Sequence, residues 1–386
     1  MGEEEWQAVE NVLSTAWNGA VCLGHPQLIE EHAHVTRLTV LQAPPGTPKT
    51  VILKRWRSAE DERFDPDFSA SHLFNDWASL EFLGQVFGPA SPAPQFYAGD
   101  QEQGFFVIED LQGALPLSQT FWGEDAPKAT RALVRYAEVL GQLHGLTLGQ
   151  SEIFNAVRKQ LGDEFLPEAQ NYTHFFQQSV EVLERLGFQL SPAALADVQQ
   201  AAEILSQPGV FFAFTHGDPV FSNVIETLGR LRLIDFESAR FRHALWEGAY
   251  PRMLFPTSGL NYVYRIPETT WRQAELVYRS VLSQHCPAAM DDTTYGLAMT
   301  AACACWALAL CQGPLSLQTA IVSTAPWVNE LRQRMVARLE LFVLTTQEFA
   351  SLEALGDGFA TLLADVQSRW PAEAGELPFY PVFQTS

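Results

Sequence analysis

Basic residues are scarce in this sequence. Its 24 Lys and Arg stand against 45 Asp and Glu, which gives a formal net charge of -21. Because surfaces that bind nucleic acid are basic, this balance excludes nucleic acid as the expected partner. Cysteine is scarce too, and five cysteines in a long chain do not make the framework of a small disulfide-rich protein. That number fits the reducing conditions of the cytoplasm.

Signals for export or membrane insertion are missing as well. The acidic start MGEEEWQ lacks the basic and apolar regions of a signal peptide, so we expect a cytoplasmic protein. The longest nearly apolar run, Gly296 to Cys311, is short for a membrane span and rich in small residues. We therefore predict a buried helix there and no membrane partner. With 386 residues, 47% of them hydrophobic, the chain is long enough for a body of two parts.

The stretch 211–237, FFAFTHGDPVFSNVIETLGRLRLIDFE, carries the most informative pattern. Asp218 follows an apolar run, Asn223 stands five residues later, and Asp235 ends a second apolar run twelve residues beyond Asn223. The runs at 224–225 and 231–234 predict a short hairpin with its turn at 228–230. The sequence thus places one carboxylate on a loop, an amide at the start of a hairpin, and a second carboxylate at its end.

Phosphoryl transfer from ATP needs groups of this kind, since the protein chiefly holds magnesium against phosphates and orients a hydroxyl. Magnesium prefers hard oxygen ligands, which Asn223 and Asp235 would supply. Asp218 would accept the proton of the attacking hydroxyl. The alternative is a surface loop and an ordinary hairpin whose acids are merely solvated.

The motif HGDPVFSNV followed by LIDFE resembles the catalytic and metal-binding loops of the aminoglycoside phosphotransferase and choline kinase group. This resemblance covers about 34–250 and implies a two-lobed, protein-kinase-like α+β fold that uses ATP and Mg²⁺. A small antiparallel sheet would form the N-terminal lobe, residues 1–111. A larger, mostly helical lobe, residues 112–386, would contain the catalytic loop and the acceptor pocket.

Three further assignments concern the first lobe. Runs at 34–41 and 50–56 predict a hairpin in which Ile52 and Lys54 share one face, so that Lys54 can reach ATP phosphates. By resemblance, Glu81 on a predicted helix at 69–88 would pair with Lys54. Also by resemblance, the strand 104–111 would be the hinge, where the Glu109 carbonyl and the Leu111 amide bind adenine.

One departure from the kinase pattern concerns the loop over the phosphates. The sequence contains neither G-x-G-x-x-G nor the P-loop pattern G-x4-G-K-[ST], and Glu30 and Glu31 precede the second strand instead.

Helices are predicted at residues 3–17, 126–148, 151–162, 167–186, 192–206, 268–285, 291–312, 327–353 and 355–368.

The acceptor is expected to be a small molecule with a hydroxyl. Gly217 stands where protein kinases carry an arginine, and Glu247 follows Asp235 by only twelve positions, too few for a peptide-docking segment. The acidic net charge favours an amine-bearing alcohol. Two alternatives remain: a nucleotide-binding scaffold of low or no activity that keeps the fold, and hydrolysis of ATP without an acceptor.

Overall fold

The computed structural model describes residues 3–29, 35–55, 70–113, 115–162, 171–227, 229–255, 264–371 and 377–384. The helices in these ranges are α1 (Glu3–Ala16), α2 (Ala70–Phe87), α3 (Leu117–Phe121), α4 (Ala126–Thr147), α5 (Ser151–Gln160), α6 (Tyr172–Arg185), α7 (Pro192–Ser206), α8 (Leu245–Gly248), α9 (Glu268–Ser283), α10 (Asp292–Leu308), α11 (Leu317–Val322), α12 (Val328–Phe349) and α13 (Glu353–Arg369). The strands are β1 (Cys22–Leu28), β2 (Val35–Gln42), β3 (Thr50–Arg55), β4 (Phe96–Asp100), β5 (Phe105–Glu109), β6 (Leu115–Pro116), β7 (Phe212–Thr215), β8 (Val224–Thr227), β9 (Arg230–Leu233) and β10 (Arg240–His243).

The chain divides into two compact units that are discontinuous in sequence. Unit 1 comprises Met1–Pro116, Gln150–Glu168 and His216–Arg240, and unit 2 comprises Leu117–Gly149, Ala169–Thr215 and Phe241–Ser386. The predicted end of the first lobe at residue 111 lies near the first break in the chain. The segment 216–240, however, which contains all three polar groups of the central motif, groups with the N-terminal residues.

Unit 1 is built on a five-stranded antiparallel sheet with the order β1-β2-β3-β5-β4. Val51 and Leu53 of β3 are fully buried against Val9 and Leu13 of α1. The alternation of side chains along a strand then places Ile52 and Lys54 on the opposite face, as the sequence predicts. Unit 1 also contains α2, α5 and a small sheet with the order β6-β8-β9, whose β8–β9 hairpin is the predicted one.

Helix α2 is buried on nearly all sides. Each of the eight residues 73–80 is buried, although Asn75, Asp76 and Ser79 are polar. On the sheet side, Trp77 stacks on Phe96 with ring centroids 5.4 Å apart. Buried polar side chains are costly unless they form hydrogen bonds, so these three require partners inside the unit.

Unit 2 is mostly helical, as the sequence predicts. Helix α4 packs along α9, where Gly141 allows close approach: a Cβ there would lie 2.9 Å from the Val281 side chain. Helix α10 packs on α7 and α12. The span Asp292–Cys311 is long and apolar enough to cross a membrane by length and composition, but 78% of that window is buried inside the protein. All five cysteines are free.

The predicted helices and strands are present in the structure. At the majority of the ends that lie in described residues, the observed bound differs from the predicted one by no more than two residues. Strands β1, β4, β6 and β10 and the short helices α3, α8 and α11 were not predicted. The sequence CLGHPQL of β1 contains Gly and Pro and shows no alternation of apolar and polar residues. Glu30 and Glu31, expected near the phosphates, lie outside the described residues.

Candidate active site

Lys54 is the central charge of unit 1. Its Nζ lies 2.6 Å from Oδ2 of Asp76 and 3.1 Å from Oδ1 of Asp235, and its side chain is only 14% exposed. Burial by itself lowers the pKa of a lysine, but the two carboxylates outweigh this effect and hold the Lys54 pKa above its ordinary range. Lys54 is therefore a stable cation in a fixed position beside Asp235.

Two neighbouring polar residues of α2 hold the segment that contains Asp235. Asp76 accepts a hydrogen bond from the backbone N–H of Phe236 at 3.0 Å, through the oxygen that Lys54 does not use. Asn75 donates through Nδ2 to the carbonyls of Glu237 and Ala239, both at 2.8 Å. These bonds give partners to the Asp76 carboxylate and to the Asn75 amide nitrogen, and they fix the backbone on the C-terminal side of Asp235.

The loop before Asp218 depends on a histidine and a glycine. The Nδ1 of His216 accepts from the Asp218 N–H at 3.2 Å, so its Nε2–H donates to the carbonyl of Ile234 at 2.8 Å. Gly217 has a φ of 97°, and a Cβ on it would lie 2.3 Å from the carbonyl oxygen of Ser238. A side chain at this position would therefore be strained and would clash, which explains why glycine occupies the position between His216 and Asp218.

Asp218 and Asn223 lie together, as their spacing predicts. Asn223 Nδ2 donates to the Asp218 carbonyl at 3.0 Å and lies 3.5 Å from its carboxylate Oδ2. The Asn223 carbonyl accepts from the Ile234 N–H at 3.0 Å, which links the loop to the end of β9. Asp235 has a φ of 72°, an uncommon value for a residue other than glycine and one that is found at functional sites. Asp218, Asn223 and Asp235 are thus held in one small region together with Lys54.

The part of the chain that contains this loop and hairpin matches a known protein family. The model of a family described as the phosphotransferase enzyme family, APH, matches residues 84–274. This match includes the loop and hairpin with Asp218, Asn223 and Asp235, and it confirms the resemblance and the enzyme class, a small-molecule phosphotransferase, that the sequence predicts.

Solved structures of this kind overlap most of the chain at low identity. A protein of Ralstonia eutropha assigned as an aminoglycoside phosphotransferase has a TM-score of 0.49 at 11% identity and covers 92% of this chain and 98% of its own. A choline kinase of Streptococcus pneumoniae has a TM-score of 0.38 at 14% identity, with 94% and 98% covered. An ethanolamine kinase of Plasmodium vivax has a TM-score of 0.43 at 12% identity, with 82% of each chain covered. No curated protein sequence matches the chain.

The predicted pairing of Lys54 with Glu81 is wrong in the structure. Lys54 pairs with Asp76, five positions earlier on α2. Five positions turn a helix by about 500°, so Glu81 projects from a different side of α2 than Asp76 does. Burial raises the pKa of Glu81.

Asp76 and Asn75 are the functional candidates that the sequence reasoning missed. A signal for them exists, because two adjacent polar residues interrupt the apolar run of α2, and such residues need partners. Apolar periodicity predicts that helix, but it does not indicate which polar position faces β3.

Negative charge accumulates around Lys54. Glu237 is partly buried, and burial together with the charges of Asp235, Asp76 and Asp218 raises its pKa to about 8, while Lys54 opposes the shift. One lysine thus stands among four carboxyl groups. A region with this excess of carboxylates is suited to bind a cation.

The donor set fits magnesium in particular. Asp235 and Asn223 present a carboxylate and an amide, the hard oxygen donors that magnesium accepts. Within the described residues, no three His, Cys, Asp or Glu side chains lie close enough to hold a metal by themselves. The remaining ligands would therefore be water and phosphate oxygens, as is usual for magnesium bound together with a nucleotide.

The hinge prediction concerns backbone groups at the end of β5. The Glu109 carboxylate accepts from Arg232 Nη2 at 2.7 Å and from the Gln95 N–H at 3.1 Å. Asp110 is held by Arg37 Nε at 2.7 Å and by the Thr50 hydroxyl at 2.6 Å. The side chains of Glu109 and Asp110 are therefore occupied by protein contacts. The assignment of the Glu109 carbonyl and the Leu111 amide to adenine stays a prediction.

Proposed function

We propose that this protein transfers the γ-phosphoryl group of ATP, with Mg²⁺, to the hydroxyl of a small molecule. The observation that carries the proposal is the position of Lys54 between Asp76 and Asp235. It supports a reaction in which a lysine binds phosphate oxygens and a neighbouring carboxylate binds a metal.

Each residue of the site has a role in this reaction. Lys54 binds phosphate oxygens of the nucleotide, and Asp76 keeps its ammonium group in place. Asp235 and Asn223 would hold Mg²⁺, which when bound neutralises charge on the phosphates. Asp76 and Asn75 maintain the backbone that presents Asp235.

Asp218 is the proposed base. Its carboxylate is exposed and lies beside the amide of Asn223, 3.5 Å from Nδ2. The acceptor oxygen forms a bond to the γ-phosphorus as the bond from that phosphorus to the ADP oxygen breaks. The hydroxyl proton goes to Asp218, and the products are ADP and the phosphate monoester of the acceptor.

The acceptor is a small alcohol rather than a protein side chain. Twelve positions carry the chain from Asp235 to Glu247, so no long segment that could dock a peptide follows the metal-binding residue.

In unit 2, Glu247 Oε2 lies 3.0 Å from His144 Nε2, and both side chains are fully buried. We assign Glu247 and His144 a structural role.

The test is turnover with panels of acceptors. The protein is incubated with ATP and magnesium together with amino alcohols, hydroxy acids, sugars, nucleosides or a protein substrate. ADP is measured by a coupled assay and the product by mass spectrometry. Phosphate transfer to a small alcohol is the expected result, and transfer to protein alone would contradict the proposal. ATP binding without turnover on any acceptor would favour the scaffold alternative, and ADP with free phosphate in the absence of an acceptor would favour hydrolysis.

A further inference from the structure

A cavity lies in unit 2 between the turn that joins α6 to α7 and one face of α13. Its volume is about 720 Å³, and small-molecule sites typically have volumes of about 300–1,000 Å³. None of the residues assigned to phosphoryl transfer lines it. We call it the α13 cavity, and the reaction proposed above gives it no role.

The face of α13 that lines the cavity follows the helical repeat. Residues 354, 358, 361, 365 and 369 are spaced by three or four positions, so they share one side of the helix. Two of them, Ala354 and Gly358, are small and leave room beside the helix. The opposite wall comes close at Gly358, where a Cβ would lie 2.9 Å from Cδ2 of Leu190.

The most buried residues of the lining are apolar. Leu183 and Phe359 are each 1% exposed, and Leu362 is 4% exposed. Leu186 and Leu190 are half-buried in the same lining. Because covering apolar surface is favourable in water, this surface favours a ligand with an apolar body.

The walls are fixed to one another by hydrogen bonds. Asp197 of α7 accepts through Oδ2 from the Leu355 N–H at the start of α13, at 2.9 Å. The Ser191 hydroxyl caps α7 by accepting from the Ala194 N–H at 3.1 Å. In the turn, the Phe188 N–H donates to the Leu183 carbonyl at 2.9 Å. The cavity is therefore formed before any ligand binds, which lowers the cost of binding.

Negative charge is in excess on the lining. Its charged side chains are Asp357, Asp365 and Arg369, which are two carboxylates and one guanidinium. Arg369 donates to Asp365 through Nε and Nη2, so these two charges compensate each other. The Asp357 carboxylate is exposed and has no ion pair within the described parts of the chain. One carboxylate therefore remains available to a cation.

Arg369 shows that this lining already accepts a cation of the chain itself. Its guanidinium carbon lies 5.7 Å from the centre of the Phe188 ring, in addition to its contact with Asp365. Aromatic faces attract cations, and carboxylates pair with them. A second anion would instead add to the excess of carboxylates, and a neutral group would leave Asp357 without a counter-charge.

We propose that the α13 cavity binds a small primary amine, whose ammonium group pairs with Asp357 and whose apolar body contacts Leu186, Leu190 and Phe359. This site goes beyond the proposed function, because its ligand needs no hydroxyl and its binding requires neither ATP nor Mg²⁺.

The experiment compares three probes of similar size that differ in charge, each without nucleotide. These are 2-phenylethylamine, phenylacetamide and phenylacetate, which are a cation, a neutral molecule and an anion. Binding to the full chain is measured by calorimetry and by saturation-transfer NMR. None of the three has an alcohol group, so the result does not depend on whether the protein transfers phosphate.

Two variants with matched controls test the site. Asp357→Asn removes the free carboxylate, and Glu353→Gln is its control, an exposed acid of α13 that does not line the cavity. Ala193→Phe places a ring in the cavity, and Ala196→Phe is its control, since Ala196 is exposed on α7 outside the lining. Asp218→Asn separates this site from binding of the amine among the acids of unit 1.

We expect the wild type to bind the amine more tightly than the amide and the amide more tightly than phenylacetate. Asp357→Asn should bind the amine about two- to fivefold more weakly, the effect of an exposed ion pair. Ala193→Phe should bind it at least about tenfold more weakly, which corresponds to losing contact with a few ligand atoms. Both controls and Asp218→Asn should bind the amine as the wild type does.

Several outcomes would overturn the proposal. These are no binding of the amine by the wild type, tighter binding of phenylacetate, or equal binding by Ala193→Phe and Ala196→Phe. Loss of binding in Asp218→Asn would place the amine in the active site instead. A change of oligomeric state in Ala193→Phe, measured by light scattering, would show that a second copy of the chain occupies the cavity.

A measurement on the wild type alone covers the case in which Ala193→Phe does not fold. Hydrogen exchange is compared with and without 2-phenylethylamine. We expect slower exchange in 186–191 and 354–365, the two segments that face each other across the cavity. Unchanged exchange in both segments at saturating amine would refute the site.

Discussion

Replacing Asp76 tests the structure of the active site most directly. The Asp76 side chain is 4% exposed, and its two oxygens accept hydrogen bonds from Lys54 and from the Phe236 N–H. The change Asp76→Ala removes both contacts, which leaves a fully buried backbone donor without its partner and Lys54 with Asp235 alone. Breaking a buried ion pair by removing one partner typically costs about 3–5 kcal/mol.

The variant Asp76→Asn divides this loss into two parts. An asparagine oxygen can still accept from the Phe236 N–H, while the charge opposite Lys54 is lost. The contact that remains to Lys54 is Asp235, whose side chain is 42% exposed and is also needed for the metal. Because a hydrogen bond to a charged group contributes about 1.5–3 kcal/mol, we expect a destabilisation in that range, smaller than for Asp76→Ala.

Glu81→Gln is the matched control on the same helix. Burial already raises the pKa of Glu81, so a neutral isostere suits its surroundings. We expect its stability to stay within about 0.5 kcal/mol of wild type.

The assays are urea unfolding and the coupled ADP assay with the best acceptor. Asp76→Asn should lose about 10²-fold in turnover, since small displacements of positioning groups have effects of that size. Glu81→Gln should keep nearly full turnover. If Asp76→Asn and Glu81→Gln behave alike in both assays, or if Glu81→Gln is the more damaging change, Asp76 is not the partner of Lys54.

Four further predictions concern single residues. Asp235→Ala should abolish the magnesium dependence of nucleotide binding in calorimetry while the protein stays folded; an unchanged dependence would refute the metal assignment. Asp218→Asn should lose about 10²–10⁴-fold in turnover and still bind ATP, since it removes only the base; weak ATP binding with full turnover at saturation would contradict this role. Gly217→Ala should lower the free energy of unfolding by at least about 1–3 kcal/mol, because its Cβ would meet the Ser238 carbonyl, and it should also reduce turnover. A variant of wild-type stability would contradict the clash. Burial lowers the pKa of His243 from 6.5 to about 3, so between these pH values the unfolded chain binds a proton at His243 and the folded chain does not. The free energy of unfolding should therefore fall by about 1.4 kcal/mol per pH unit as the pH drops from about 6.5 toward 3. His243→Asn should flatten that slope in urea unfolding at several pH values, and an unchanged slope would exclude His243 as its cause.

Part of the site could be predicted because its residues are close together in the chain. Asp218, Asn223 and Asp235 lie within 18 residues, on one loop and one hairpin whose geometry follows from local apolar runs and turns. The face of β3 on which Lys54 lies follows from the strict alternation of side chains in a strand. Short-range rules therefore determine these positions, and the structure agrees with them.

Other features were settled only when distant segments packed together. Residues 54 and 76 lie on different elements, and apolar periodicity does not set the rotation of a helix that is buried on nearly every side. The burial of Asn75 and Asp76, and hence the choice of Asp76 over Glu81, therefore comes from the contacts of α2 with β3 and with 236–239.

The sequence by itself determined the enzyme class and the order of its polar groups, because these depend on residue type and on spacing within short segments. Tertiary structure alone decided which charges meet. Arg252 and Arg338 are both buried arginines, yet one faces two carboxylates and the other faces a carbonyl. The free energy of a buried charge depends on partners that are distant in sequence, and their positions are known only from the packed structure.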